Sequence, residues 1–150
     1  MRIAKIKDLD EIMLIINDGK TSLRKDGIDQ WQNGLPDRKG ILENILTGES
    51  FVYEENGEIK GFIGADGPYI AGIFVDFRSR SMGIGKQLLD YVKLRKSTLT
   101  LQVYEKNERA VSFYRREGFI VREKLVDEET GETEFQMDYT GEQTAWDITR

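Results

Sequence analysis

Neither cysteine nor histidine occurs in the 150 residues. Disulfides, thiolate nucleophiles, zinc sites with nitrogen or sulfur ligands and every histidine-based catalytic dyad are therefore excluded. Any catalysis has to run on carboxylate, tyrosine, lysine, hydroxyl or backbone groups, and no metal is expected. Long apolar runs are missing too. The opening Met1-Arg2-Ile3-Ala4-Lys5-Ile6-Lys7 contains no signal h-region, and nothing downstream approaches the ~20 apolar residues of a membrane span. The expected compartment is the cytoplasm, with no membrane partner. Basic residues are not in excess either: 22 Lys and Arg against 27 Asp and Glu leave a net charge of −5. A mildly anionic surface argues against nucleic-acid binding, which usually needs a basic face.

The length suits one domain with one core, expected over residues 1–140, with 141–150 as a C-terminal tail. After a first short strand, Asp8-Leu9-Asp10-Glu11 reads as a helix start, with Asp8 as N-cap and Glu11 closing a capping box. Leu9, Ile12, Met13 and Ile16 share one face, and Gly19 is expected to end the helix. Residues 27–36 combine turn formers with Trp31, which reads either as part of a loop over a pocket or as a core plug. A second helix is expected from Asp37 to Leu46. Phe51-Val52-Tyr53 then pairs with Ile59 to Ile63 across Asn56-Gly57, a dipeptide suited to a type I′ turn. Tyr69 to Val75 is apolar on both faces and reads as a central strand, in which Gly72 permits a bulge or a close backbone approach. A helix from Ile84 to Lys96, a strand from Thr98 to Val103, a short helix capped by Asn107 and closed by Gly118, and strands at Phe119–Leu125 and Thr133–Tyr139 complete an α/β arrangement with a mixed sheet.

The sharpest feature is Val75-Asp76-Phe77-Arg78-Ser79-Arg80-Ser81-Met82-Gly83-Ile84-Gly85-Lys86, between a buried strand and an amphipathic helix. Two glycines one residue apart let the backbone expose N–H groups, and the helix N-terminus adds partial positive charge, which suits a pyrophosphate. Arg78, Arg80 and Lys86 add charge around it. The spacing is neither a Walker loop nor a dinucleotide fingerprint. Taken alone, Gly83 and Gly85 also fit a plain strand-to-helix turn.

Arg80-x-x-Gly83-x-Gly85 resembles the Q/R-x-x-G-x-G/A signature of the GNAT (GCN5-related N-acetyltransferase) superfamily, and it stands between the fourth strand and the third helix, as in that family. The segment Leu101 to Phe119, with Val103, Asn107, Ala110, Phe113, Tyr114 and Gly118 in place, is similar to the family's L-x-V-x-x-x-N-x-x-A-x-x-F-Y-x-x-x-G-F stretch. The resemblance is strongest from about Tyr69 to Tyr139. It implies a mixed, mostly antiparallel sheet flanked by helices and splayed between the fourth and fifth strands, and an N-acetyltransferase that uses acetyl-CoA.

By that resemblance the pantetheine arm bonds the backbone of Ile73, Phe74 and Val75, and the pyrophosphate rests on Arg80, Ser81, Met82, Gly83, Ile84, Gly85 and Lys86. Asn107 bonds the arm, a role compatible with helix capping because a cap uses only the side-chain oxygen. Tyr114 is the expected catalytic acid toward the departing thiolate, against the alternative of an aromatic core residue. Without cysteine no acetyl-enzyme on sulfur forms, so the acceptor amine attacks the thioester directly, with a backbone N–H of residues 72–75 meeting the oxyanion. Some relatives place a glutamate on the fifth strand where this chain has Gln102, which leaves Asp66, Glu105 or a water chain as routes for the proton.

Acidic residues Asp26, Asp29, Glu54 and Asp66 favour a cationic acceptor by steering. That acceptor is a small-molecule or peptide amine, with Trp31 and Tyr69 as candidates to line its site. The rival reading is a non-catalytic acetyl-CoA-binding regulatory module. An enzyme acting on charged tRNA would need a basic groove, against which the acidic balance counts. Monomer and homodimer are both open.

Overall fold

A computed structural model describes residues 1–25, 37–80 and 82–141, the side chains of 18–25 excepted. They fall into two compact units, residues 1–91 and 92–150, with the boundary inside a helix.

In the first unit, β1 (Arg2–Ile3), β2 (Phe51–Glu55), β3 (Glu58–Asp66) and β4 (Tyr69–Val75) pair antiparallel in that order. Helices α1 (Leu9–Lys25) and α2 (Arg38–Leu46) pack on β3, and α1 also on β4. Their apolar stripes supply the core: Ile12, Ile16 and Ile41 are buried completely and meet Val52, Phe62 and Phe74 from the strands. Asp37 caps α2, its Oδ1 accepting the Gly40 N–H at 2.8 Å. The β2–β3 turn has Asn56 at φ 53° and Gly57 at φ 78°, the left-handed pair that a type I′ turn requires.

Two expectations at α1 are corrected. The helix continues through Gly19 to Lys25, because a mid-helix glycine costs only about 1 kcal/mol relative to alanine and does not by itself end a packed helix. The Asp8/Glu11 capping box does not form. Asp8 lies in a 3-10 turn, Ile6–Asp8, where its carboxylate accepts from the Lys5 N–H at 2.8 Å and takes the Arg2 guanidinium at 2.8 and 2.9 Å. Glu11 instead reaches across to the Ile59 N–H at 2.7 Å, so its carboxylate ties α1 to the start of β3. Glu11 thus has a partner far along the chain, while Asp8 is engaged by Arg2 and by the N–H three residues before it.

Ser50, fully buried, joins α2 to β3: its hydroxyl lies 3.0 Å from Asn44 O and accepts the Ala65 N–H at 3.0 Å. That N–H stands at the irregularity of the β3–β4 pairing, where Gly64 opposes Gly72 but Ala65 opposes Ile70, so Ala71 is the extra residue. Gly72 itself serves close approach: a Cβ there would lie 2.6 Å from the Phe74 ring.

Helix α3 (Ile84–Lys93) buries Ile84, Leu88 and Leu89. Gly61 of β3 makes room for it, since a Cβ at that glycine would stand 2.8 Å from Ile84 Cγ2 and 3.0 Å from Leu88 Cδ1.

In the second unit, β7 (Thr133–Thr140) pairs antiparallel with β5 (Thr98–Tyr104) on one side and β6 (Ile120–Val126) on the other. Leu99, Leu101 and Val103 alternate inward on β5 and meet Phe135 and Met137 on the same face of β7. Helix α4 (Glu108–Arg116) starts at Asn107, whose Oδ1 accepts from the Ala110 N–H at 3.4 Å, and stops where Gly118 turns at φ 94°. Lys93, last in α3, lies 4.5 Å over the Tyr139 ring, donates to Glu117 O and stands 3.6 Å from the Glu117 carboxylate.

Candidate active site

The loop from Val75 to α3 begins with a 3-10 turn, Phe77–Ser79, capped by Asp76, whose Oδ1 accepts the Arg78 N–H at 3.3 Å. Ser79 is buried and anchors the turn, while Phe77 and Met82 are exposed at 66% and 65%. Arg80 folds over the Phe77 ring at 5.2 Å. Gly83 adopts φ 77°, a backbone that residues with a Cβ rarely take, and a Cβ there would meet nothing within 4 Å. Gln87 N–H is bonded to Gly83 O at 3.0 Å, so Ile84 and Gly85 belong to the first turn, whose N–H groups have no acceptor within the helix. A left-handed glycine with open space beside it, directly before a helix N-terminus, fits an anionic group held by backbone donors. Lys86 stands 3.5 Å from Asp90, an exposed pair one helical turn apart that holds its ammonium on the helix flank.

Ile73, Phe74 and Val75 precede this loop on β4. Phe74 is a core side chain and Ile73 and Val75 are half-buried. Tyr69, exposed at 37%, is at the other end of β4, six strand residues or about 20 Å from Val75. Ser81 and Trp31 lie outside the described residues, as do Asp26 and Asp29.

In the second unit Asn107 is half-buried at the helix start, its oxygen used in the cap. Tyr114 is half-buried between the rings of Phe113 and Phe119, with centroids at 5.2 and 5.5 Å in edge-on contact, so its ring plane is fixed by packing. Of the carboxylates considered for the proton, Glu105 is exposed and lies 3.4 Å from Lys124 Nζ, and Asp66 is exposed at the β3–β4 turn.

Two groups escaped the reading of motifs. Tyr104, the residue after Val103 in the second motif, is buried, and its hydroxyl donates to Asp127 in the β6–β7 turn, with Thr130 Oγ1 at 3.4 Å. Burial first, and the bond to Asp127 next, push this hydroxyl up to about 12, so it stays neutral at physiological pH. Glu134, opposite Tyr104 on β7, is held above the ordinary glutamate range by burial and then by the charge of Asp127.

A strand, a glycine-containing loop and a helix come in this order, followed along the chain by the asparagine-capped helix that carries Tyr114. A family model described as an acetyltransferase (GNAT) domain matches residues 20–140. The chain is 35% identical over 102 residues to the peptidyl-lysine N-acetyltransferase YiaC of Escherichia coli strain K12, covering 67% of this chain and 68% of that one. It is 34% identical over 67 residues to the peptidyl-lysine N-acetyltransferase YjaB of the same organism, a match that spans 46% of that protein. Among solved structures, a GNAT-family acetyltransferase from Streptococcus agalactiae superposes with a TM-score of 0.80 at 21% identity, covering 93% of each chain. YncA from Salmonella typhimurium, solved with its cofactor acetyl-CoA, superposes at 0.71 with 17% identity, over 93% of this chain and 92% of that one. The chain belongs to the GNAT acetyltransferase family. It has that family's fold and is an acetyl-CoA-dependent N-acetyltransferase.

Proposed function

We propose that the chain transfers the acetyl group of acetyl-CoA directly to the side-chain amine of a peptidyl lysine in a ternary complex. The observation that carries the cosubstrate's place is Gly83, left-handed and unobstructed at the start of α3. The lysine acceptor is favoured by the names of the relatives YiaC and YjaB over an α-amine, a polyamine or an aminoglycoside-like amine.

Acetyl-CoA supplies an acyl group already activated as a thioester, so the protein's task is binding, orientation and proton handling. Backbone N–H groups from Met82 to Lys86 hold the pyrophosphate, with Arg80 and Ser81 beside it. The backbone of Ile73, Phe74 and Val75 aligns the pantetheine arm, and Asn107 uses the amide N–H₂ left over from its cap. A backbone N–H of residues 72–75 meets the developing oxyanion. Tyr114 donates its phenolic proton to the leaving sulfur. Trp31 and Tyr69 line the acceptor's approach. No helix among the described residues is long and apolar enough to cross a membrane, and action in the cytoplasm as a monomer or homodimer accords with the acidic composition.

Calorimetric titration with acetyl-CoA tests the loop. Gly83→Trp places a bulky side chain and a disfavoured backbone in the cradle, and is expected to weaken binding at least 100-fold while the protein still melts cooperatively. Unchanged affinity in that variant would remove the loop from the site. Binding by the wild type without transfer to any lysine peptide would turn the reading toward a regulatory acetyl-CoA-binding module.

A further inference from the structure

We infer that Phe77 is a positioning residue for the cosubstrate: its ring holds the Arg80 guanidinium from one face and leaves the in-plane N–H donors of that group open to the phosphates of acetyl-CoA. It rests on the acetyl-CoA reading above and names a further residue of that site, all of it within the first unit.

The arrangement follows from the local backbone. Side chains at i and i+3 of a 3-10 turn eclipse one another. Phe77 and Arg80 have that spacing, and the turn between them is closed by the Arg80 N–H to Phe77 O at 3.4 Å. Asp76 caps its start and buried Ser79 anchors it, so the turn is held at both its entry and its middle. The guanidinium carbon of Arg80 then stands 5.2 Å from the centroid of the Phe77 ring. That ring is 66% exposed, so the core does not account for its place.

A guanidinium is planar, and its faces and edges do different work. Stacking on a ring occupies one face, while the five N–H groups lie in the plane and match the oxygens of a phosphate two at a time. Among the described residues no hydrogen bond or ion pair engages the Arg80 side chain. The other cations of the loop are placed differently. Lys86 pairs with Asp90 at 3.5 Å, and Arg78 is exposed, with its charge felt by Glu58 and Lys60 at the start of β3. Arg80 is half-buried and precedes Gly83, the left-handed glycine with open space beside it, by three residues, at most about 11 Å of extended chain. An unrestrained arginine loses rotamer freedom when it grips a ligand; a ring beneath it removes much of that freedom beforehand.

Calorimetric titration of acetyl-CoA into wild type, Phe77→Ala, Arg80→Ala and the double variant reads the coupling of the two residues. Phe77→Ala is expected to raise Kd about 5-fold, the worth of a cation–π contact at an exposed site, with a melting temperature near wild type. Arg80→Ala should raise it about 10-fold or more, and adding Phe77→Ala to that variant should change Kd less than about 1.5-fold. Phe77→Tyr keeps the aromatic face and retains wild-type affinity, whereas Phe77→Leu keeps apolar bulk without the face and behaves as Phe77→Ala. Both alanine variants should also show a shallower rise of Kd with added salt, because a charge contact to phosphate is loosened or lost. A Phe77→Ala protein with wild-type affinity and salt dependence overturns the inference. So does a loss that persists undiminished in the Arg80→Ala background, which would put the ring against the nucleotide itself, and so does wild-type affinity in Phe77→Leu. A wild type that fails to bind acetyl-CoA overturns the cosubstrate reading instead, a result separable from these.

Discussion

Tyr104 and Tyr114 stand ten positions apart in one strand-to-helix segment, in different surroundings. Tyr104 is buried, its hydroxyl spent on Asp127 and Thr130. Tyr104→Phe should cost about 1 kcal/mol, the net worth of an ordinary hydrogen bond, seen as a melting temperature several degrees lower. Its alkaline behaviour has a definite sign. The folded hydroxyl titrates near 12 and the free one near 10.0, so the unfolded chain loses its proton first. This residue's contribution is fully present below about pH 10 and is lost as pH rises toward 12. Denaturant titrations at pH 9 and 11 should show that loss in the wild type and a smaller one in Tyr104→Phe. Tyr114 instead has a ring fixed by Phe113 and Phe119, and the role proposed for it is proton donation. Tyr114→Phe should reduce kcat about 10- to 100-fold with acetyl-CoA affinity nearly unchanged, read by steady-state thiol release and calorimetry. An unaltered kcat would return Tyr114 to packing alone. At this scale the sequence disclosed which residue types were available and the motif that carries Tyr114 and Asn107. It did not disclose the partner of Glu11, because the Ile59 N–H is brought near by folding rather than by spacing.

Elements were legible where periodicity was strong and termination was local. The Asn56-Gly57 hairpin, the Asn107 cap of α4 and the Gly118 stop are all written in neighbouring residues, and they stand as expected. The end of α1 was misread because Gly19 is only a weak local penalty, outweighed by an apolar stripe packed on β3 and β4. Gly61 is the opposite case: its local pattern is that of a strand, and its purpose appears only in the close seating of Ile84 and Leu88 of α3. Gly61→Ala should destabilise by about 1–3 kcal/mol, the cost of overpacking a filled contact. Because the displaced helix starts directly after Gly83, acetyl-CoA affinity should fall with it. Chemical denaturation together with calorimetry checks both, and a neutral effect on stability would mean that α3 yields more easily than its packing on Gly61 indicates.

For the molecule as a whole, the two motifs from Arg80 to Gly85 and from Leu101 to Phe119 were enough to place the chain in its family, and the match over residues 20–140 agrees. The first sixty residues carried less information, since their helices are specified by generic apolar stripes and the acceptor side is not bound to a motif. The net charge of −5 belongs to this scale too: it favours encounter with a cationic acceptor, an effect that added salt weakens. The central claim is transfer of acetyl to a lysine side chain, and the most direct measurement is thiol release from acetyl-CoA with one peptide offered in two forms. In the first the α-amine is blocked and a lysine is free; in the second the lysine is blocked and the α-amine is free. The account predicts saturable release with the free lysine, the product carrying one acetyl group on that side chain by mass spectrometry, and little with the free α-amine. Release confined to the α-amine, or none with either peptide despite acetyl-CoA binding, would contradict it.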